Sequence, residues 1–267
     1  MRKVLIVLLL LGIILGISIL RTGRGAPEEL FSRREILMGT LVEIKVGGLE
    51  RRRAENAVAA AFREMGRIDS LASRTKRGDV FRLNRDGEAD VSPEVSELLT
   101  RSILYGDMTE GGFDITVQPL LERWSYFEDD HISVPSQEEL RGLLHLVDYR
   151  KVKVEGRRAV LLTKGMGIDL GGIAKGYAVD RAVEVLRSNG VTSALVEAGG
   201  DIRLLGTKPD GSPWRVGLRH PRKSGMLTVF ELSNVSICTS GDYERFFERG
   251  GERYHHIVDP KVGYPAR

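Results

Sequence analysis

The run Ile168-Asp169-Leu170-Gly171-Gly172-Ile173-Ala174-Lys175-Gly176-Tyr177-Ala178-Val179-Asp180 constrains the fold of this chain more than any other. A short apolar strand ends in two glycines, and a helix with a lysine in its first turn follows. Paired glycines let the backbone approach a ligand closely. Free N–H groups at a helix start, together with the helix dipole, favour an anion there. Lys175 adds a mobile positive charge, and Asp169 adds an acceptor at the strand end. The pattern outlines a site for a phosphate-bearing ligand at a strand-to-helix turn. A plain glycine turn with an exposed lysine is the alternative reading of the same residues.

The surrounding periodicity places this turn in an α+β chain. Val42, Ile44 and Val46 alternate along a strand over Leu41 to Val46, and Ala54, Ala57, Val58, Ala61, Phe62, Met65 and Ile68 recur at helical spacing. Ser92-Pro93 reads as a helix cap and first position. Ser136 with Glu139 forms a capping box. Lys151 to Leu162 reads as a hairpin turning near Gly156. The helix after Gly172 ends at Asn189-Gly190. Strands then follow at 194–197, 202–205, 214–219 and 227–232. Helices early and strands late favour α+β over a regular βαβ alternation. There is no GxGxxG and no GxxxxGK[ST], so neither a Rossmann domain nor a P-loop ATPase is supported.

Bulk properties narrow the function. The net charge of the 267-residue chain is +3, and Arg51-Arg52-Arg53 has no interleaved aromatics, so a nucleic-acid partner is not expected. Cys238 is the single cysteine, which excludes an intrachain disulfide; in the apolar run Val235-Ser236-Ile237-Cys238 it reads as a buried structural thiol. Arg2 and Lys3 precede seventeen uncharged residues, Val4 to Leu20. That length suits a signal-peptide core or a short membrane anchor, so residues 1–20 are assigned to one of these. With no cysteine beside it, a lipoprotein anchor is excluded. Residues 21–35 read as a polar linker, and the domain is expected over 36–267.

The glycine run resembles the signature of the ApbE family, the FAD:protein FMN transferases. Met38-Gly39-Thr40, Gly112-Phe113-Asp114-Ile115-Thr116-Val117-Gln118-Pro119-Leu120, Ala198-Gly199-Gly200-Asp201-Ile202 and Thr239-Ser240-Gly241-Asp242-Tyr243-Glu244-Arg245 match the same family in the same order. His256-Ile257-Val258-Asp259-Pro260-Lys261-Val262-Gly263-Tyr264-Pro265 closes the series. The resemblance implies an ApbE-like, T-fold-related α+β domain. It implies binding of FAD with Mg²⁺, transfer of the FMN half to a serine or threonine of an acceptor protein, and release of AMP. Such a phosphoryl-group transfer calls for positioning and charge neutralisation.

Carried over residue by residue, the FAD contacts are Met38, Gly112, Phe113, Asp114, Asp169, Lys175 and Ile257. Gly172 takes the position whose backbone carbonyl or side chain meets the metal in relatives, and glycine can offer only its carbonyl, a hard oxygen suited to magnesium. His256 is the expected general base, since imidazole titrates near operating pH; His255 beside it is the competing assignment. Asp259 is read as orienting this loop or as a plain turn aspartate, and His131, His145 and His220 as surface residues. The resemblance further implies export of the domain, tethered by residues 4–20 or released, and an acceptor subunit or domain of an exported redox system.

Two departures stand out. Thr75 occupies the place of a tyrosine that contacts FAD in relatives. Relatives also continue beyond the Tyr264-Pro265 position into an Ala-Asp-Ala-x-x-Thr segment bearing most of the metal ligands, so the sequence reads as C-terminally incomplete. FAD hydrolysis to FMN and AMP, non-catalytic FAD binding and a structural membrane-anchored domain are the rival readings.

Overall fold

The computed structural model describes residues 30–124, 134–242 and 246–266. The apolar segment of residues 1–20 lies outside them, as do His131, Tyr243, Glu244 and Arg245. Among the described residues no helix is long and apolar enough to cross a membrane.

The centre is a five-stranded antiparallel sheet. Strand β1 (Phe31–Leu37) pairs with β2 (Thr40–Gly47), β2 with β6 (Ser193–Ala198), β6 with β7 (Asp201–Leu205), and β7 with β10 (Ser236–Cys238). Period-two alternation divides its residues between the two faces of the sheet. Val42, Ile44, Val46, Ala194, Val196 and Ala198 face helices α1 (Arg51–Ala72) and α6 (Ala174–Ser188) in the largest core. On the opposite face Leu195 and Leu204 meet Trp214 and Val216 of the hairpin β8 (Trp214–Arg219) and β9 (Met226–Leu232). Helix α1 follows from its sequence: Glu50 accepts from the Arg52 N–H at the N-cap, and the predicted alanine-rich face is buried throughout.

A second core joins α2 (Asp79–Asp86) and α3 (Pro93–Met108) to a small sheet of β3 (Glu88–Asp90), β5 (Arg158–Leu161) and β4 (Val152–Glu155), and includes Met166, Ile168 and Leu170. Ser92 caps α3 ahead of Pro93, and β4 and β5 turn at Gly156, both as the sequence predicts. A third core lies under the C-terminal hairpin β11 (Phe246–Arg249) and β12 (Glu252–His255). There Trp124 of α4 (Gln118–Trp124) is fully buried against Phe247, Tyr254 and Tyr264, with Leu120 and with Leu140 of α5 (Gln137–Leu143). Helix α5 begins with the expected Ser136–Glu139 capping box.

Two expectations are corrected. Residues 31–35 are not linker but belong to β1, an edge strand whose Ser32, Arg33 and Arg34 face solvent. Cys238 is exposed rather than buried: β10 is the opposite edge strand, and alternation turns Ile237 inward and Cys238 outward.

Candidate functional site

The matched segments gather mostly at one end of the central sheet. The β1–β2 turn consists of Met38 and Gly39, with φ of 53° and 68°. A non-glycine residue in the left-handed region is uncommon, and such strain clusters at functional positions. The neighbouring β6–β7 turn is Gly199-Gly200, with φ of 57° and 94°. Positive φ at both central residues fits a twisted two-residue hairpin, which glycine adopts at no steric cost. Space requires glycine as well. A Cβ on Gly199 would lie 2.5 Å from Thr40 Oγ1, and one on Gly200 would lie 2.7 Å from Thr239 Oγ1. The two turns and the start of the Thr239–Asp242 segment therefore interlock, and the Thr239 N–H donates to the Gly200 carbonyl at 3.1 Å.

The glycine turn before α6 sits beside this assembly. Gly171 and Gly172 are exposed, and a Cβ on Gly172 would lie 3.0 Å from the Phe113 ring. Gly172 is thus a shallow floor beside an aromatic edge. Asp169 Oδ1 accepts from the Gly171 N–H at 2.7 Å, and its Oδ2 lies 3.4 Å from Arg74 Nε. The Asp169 N–H donates to the Ile115 carbonyl at 2.8 Å, which joins this turn to the Gly112–Leu120 segment. Lys175 Nζ lies 3.6 Å from Asp201 Oδ2. Met38 packs against the two cores that Tyr177 also touches, one of which includes Phe113 and Ile173.

Of the expected FAD contacts, Phe113, Asp169 and Lys175 therefore come together around Gly172, and Met38 packs on the same core as Phe113. Asp114 is adjacent in sequence but turned inward. Its buried carboxylate accepts from the Thr116 N–H and hydroxyl and from the Tyr149 N–H. Burial pushes its carboxyl up from the usual carboxylate range. Its oxygens already serve the chain, so Asp114 shapes the segment that carries Phe113.

A cleft of about 1390 Å³ opens along the Thr239–Asp242 segment, between the β8–β9 hairpin and the C-terminal loop. Thr239, Asp242, Arg222, His255 and Ile257 are among the residues lining it. Arg222 holds Asp242 with two guanidinium hydrogen bonds, and His220 Nδ1 accepts from the N–H groups of Arg222 and Lys223. Asp242 and His220 thereby fix local structure. His255 Nδ1 accepts from the Ile257 N–H at 3.3 Å, and its Nε2 lies 2.9 Å from the Ala266 carbonyl. A carbonyl only accepts, so Nε2 carries the proton and both ring nitrogens are engaged by main chain. His256 follows β12 and is half-buried; the cleft lining takes His255 and Ile257 rather than His256. Asp259 accepts from the Lys261 N–H and closes the 259–264 turn, so it acts as the turn aspartate.

Among the described residues no group of three His, Cys, Asp or Glu side chains could hold a metal. Gly172 offers a carbonyl, and the adjacent Asp169 oxygens are already partnered. This donor set falls short of the one or two carboxylates through which a protein usually binds magnesium, and no chemical step is routed through the ion. The glycine floor, the helix start and Lys175 do fit the phosphates of a dinucleotide.

Sequence reasoning passed over two residues that hold the site in place. Arg74 reaches Asp169 from the loop after α1, and Asn84 of α2 reaches the main chain of Ile168. The cue for Asn84 was slight: a half-buried polar residue next to Leu83 on a short helix that buries Asp79, Val80 and Leu83.

The ApbE family model matches residues 38–267. The chain is 32% identical to an FAD:protein FMN transferase of Treponema pallidum, covering 91% of this chain and 73% of that protein. It is 30% identical to an FAD:protein FMN transferase of Vibrio cholerae, covering 92% and 76%. Among solved structures, the ApbE protein of Thermotoga maritima superposes with a TM-score of 0.84 at 36% identity, covering 90% of this chain and 79% of that one. The flavin transferase ApbE of Vibrio cholerae gives 0.79 at 28% identity, covering 90% and 79%. With this match and the gathered motifs, the chain belongs to the ApbE family.

Proposed function

We propose that the protein is a flavin transferase that moves the FMN half of FAD onto a serine or threonine of an acceptor protein and releases AMP. The observation that carries this reading is the convergence of Phe113, Asp169 and Lys175 around the exposed Gly171-Gly172 turn, with Met38 packed on the same core as Phe113. Such a site has a place for a pyrophosphate at a helix start and an apolar rim for a flat ring.

The residues divide the work as follows. The glycine turn and Lys175 bind the phosphates and oppose their charge. Met38 and Phe113 offer apolar and aromatic surface to the flavin. His256 takes the proton of the acceptor hydroxyl as its oxygen attacks phosphorus. If magnesium binds, the Gly172 carbonyl is the oxygen this chain would offer it, and the ion would neutralise charge at the phosphates. Residues 4–20 tether or export the domain, and the acceptor is a subunit or domain of an exported redox system. The support for that location is the uncharged run Val4 to Leu20 behind Arg2 and Lys3.

The test is incubation with FAD, Mg²⁺ and an acceptor domain bearing the target threonine. Covalent flavin on the acceptor with equimolar AMP is the expected result. Free FMN and AMP without acceptor labelling would make the protein an FAD hydrolase, and intact bound FAD would make it a binder.

A further inference from the structure

Asn84 connects the second core to the glycine turn through main-chain hydrogen bonds. Its Nδ2 donates to the Ile168 carbonyl at 2.8 Å, and its Oδ1 accepts from the Ile168 N–H at 2.7 Å. One carboxamide thus satisfies both main-chain groups of a fully buried residue, as a neighbouring β-strand would. On the next residue, the Asp169 N–H donates to the Ile115 carbonyl at 2.8 Å. The chain entering the turn is pinned by α2 through Asn84 and by the segment after Phe113 through Ile115. The next anchor, Asp169 Oδ1 to the Gly171 N–H, lies within the turn itself.

We propose that Asn84 is a positioning residue of the flavin-transfer site. Its carboxamide sets the height and orientation of the Asp169–Gly172 turn, and through it the placement of the α6 start and of Lys175 toward the phosphates. The proposal rests on the flavin reading given above. The job demands one donor and one acceptor side by side, which a carboxamide presents. An aspartate in its place, when ionised, presents two acceptors, and one of them faces the Ile168 carbonyl. When protonated, it regains an O–H donor beside a carbonyl acceptor, the same pattern as asparagine. The facing carbonyl and partial burial both favour that protonated form, so the substituted carboxyl titrates above its usual range.

The experiment is FAD binding to the full chain and to Asn84→Asp, followed by flavin fluorescence at about pH 8 and about pH 5. The variant's Kd should exceed that of the wild type about tenfold at the higher pH, as expected for a lost hydrogen bond and an opposed carbonyl. At the lower pH the ratio should fall to within about twofold as the carboxyl regains its proton. Normalising to the wild type removes the titration of groups common to both. A ratio that stays the same at the two pH values overturns the proposal. So does a variant with a lower melting temperature and fewer binding-competent molecules whose remaining sites keep the wild-type Kd, because that pattern marks general structural support. A second measurement stands apart from flavin. In ligand-free Asn84→Ala, hydrogen exchange at Ile168–Gly172 should speed up at least tenfold while α1 and β6 keep their protection. Unchanged exchange in that segment overturns the proposal even if FAD binds. If the wild type itself binds no FAD, the flavin reading fails, and the exchange result alone decides whether Asn84 fixes the turn.

Discussion

Lys175, in the first turn of α6, pairs with Asp201 at the start of β7, with Nζ 3.6 Å from Oδ2. The contact ties the glycine motif to the Ala198–Ile202 motif across the helix–sheet boundary. It also parks a cation, one third exposed, next to the helix start where phosphate is expected. Lys175→Ala should raise the Kd for FAD about tenfold or more, since a charge-assisted phosphate contact contributes about 1.5–3 kcal/mol. Lys164→Ala, a change at an exposed residue away from the turn, is the control. Titration calorimetry that returned equal constants for the two variants would remove Lys175 from the site.

Gly172→Val should abolish transfer while the protein stays folded. The new Cβ would sit 3.0 Å from the Phe113 ring, and the branch would extend over the exposed floor of the turn. Because Gly172 faces solvent, the melting temperature should move little. Measured turnover near the wild-type rate in a folded variant would show that no ligand approaches this backbone.

The local devices were legible in the sequence because their causes are local. The Ser92-Pro93 cap, the Ser136–Glu139 capping box, the turn at Gly156 and the Asn189-Gly190 end of α6 each depend on residues within a few positions. The faces of α1 and β2 were legible from period alone. Edge strands were less so. Ser32, Arg33, Arg34 and Glu35 read as linker because a strand with both faces partly wet carries no apolar alternation. Cys238 read as buried because Val235 and Ile237 gave an apolar run, and only the strand order places β10 at an edge. The site residues came from ordered motifs, whereas the contacts that hold them did not. Asn84 with Ile168 spans 84 residues, and nothing in either neighbourhood encodes the pairing.

The pH dependence of stability should show an acid limb. Glu64 accepts from Arg67 and Arg181, and Arg67 also reaches Glu94, so the three helices α1, α3 and α6 share one ionic network. The Arg67 hydrogen bond holds the Glu64 carboxyl below the usual carboxylate range, and the same arginine lowers Glu94. A depressed carboxyl stabilises the fold above its unfolded pKa, and that stability is lost as pH falls through the folded value. Thermal midpoints of the wild type should therefore drop below about pH 4.5, the ordinary glutamate range. Glu64→Gln should start lower at neutral pH and lose less on acidification. Parallel curves for the two proteins would show that the network adds nothing to acid sensitivity.

Trp124 should be the main anchor of the C-terminal hairpin. It is fully buried, its Nε1 donates to the Gly263 carbonyl at 2.7 Å, and its ring meets Phe247, Tyr254 and Tyr264. Trp124→Ala should cost about 3–5 kcal/mol through lost burial and the cavity left behind. Limited proteolysis should then cut first within residues 246–266. Unaltered cleavage there would mean that the hairpin is held by something other than this aromatic cluster.

The two adjacent histidines give the sharpest test of the chemistry. His255 ends β12 with Nδ1 accepting from Ile257 and Nε2 donating to Ala266, so neither nitrogen is left to take a proton from an acceptor hydroxyl. His256 is the next residue, in the bend that leads to Ile257, and it matches the family position. His256→Ala should keep FAD affinity within about twofold while transfer falls about 10²–10⁴-fold, because a general base acts on the step and not on ground-state binding. His255→Ala should act through the fold: it removes two main-chain contacts of the 255–266 loop, lowers the melting temperature and reduces transfer only in proportion to the loop's disorder. The pH profile separates the roles further. A neutral imidazole is the active form of a base, so wild-type kcat should rise with pH, and His256→Ala should lose that limb while His255→Ala keeps it. If the limb disappears in His255→Ala instead, the engaged histidine exchanges its main-chain partners for the acceptor hydroxyl during turnover, and the base is His255.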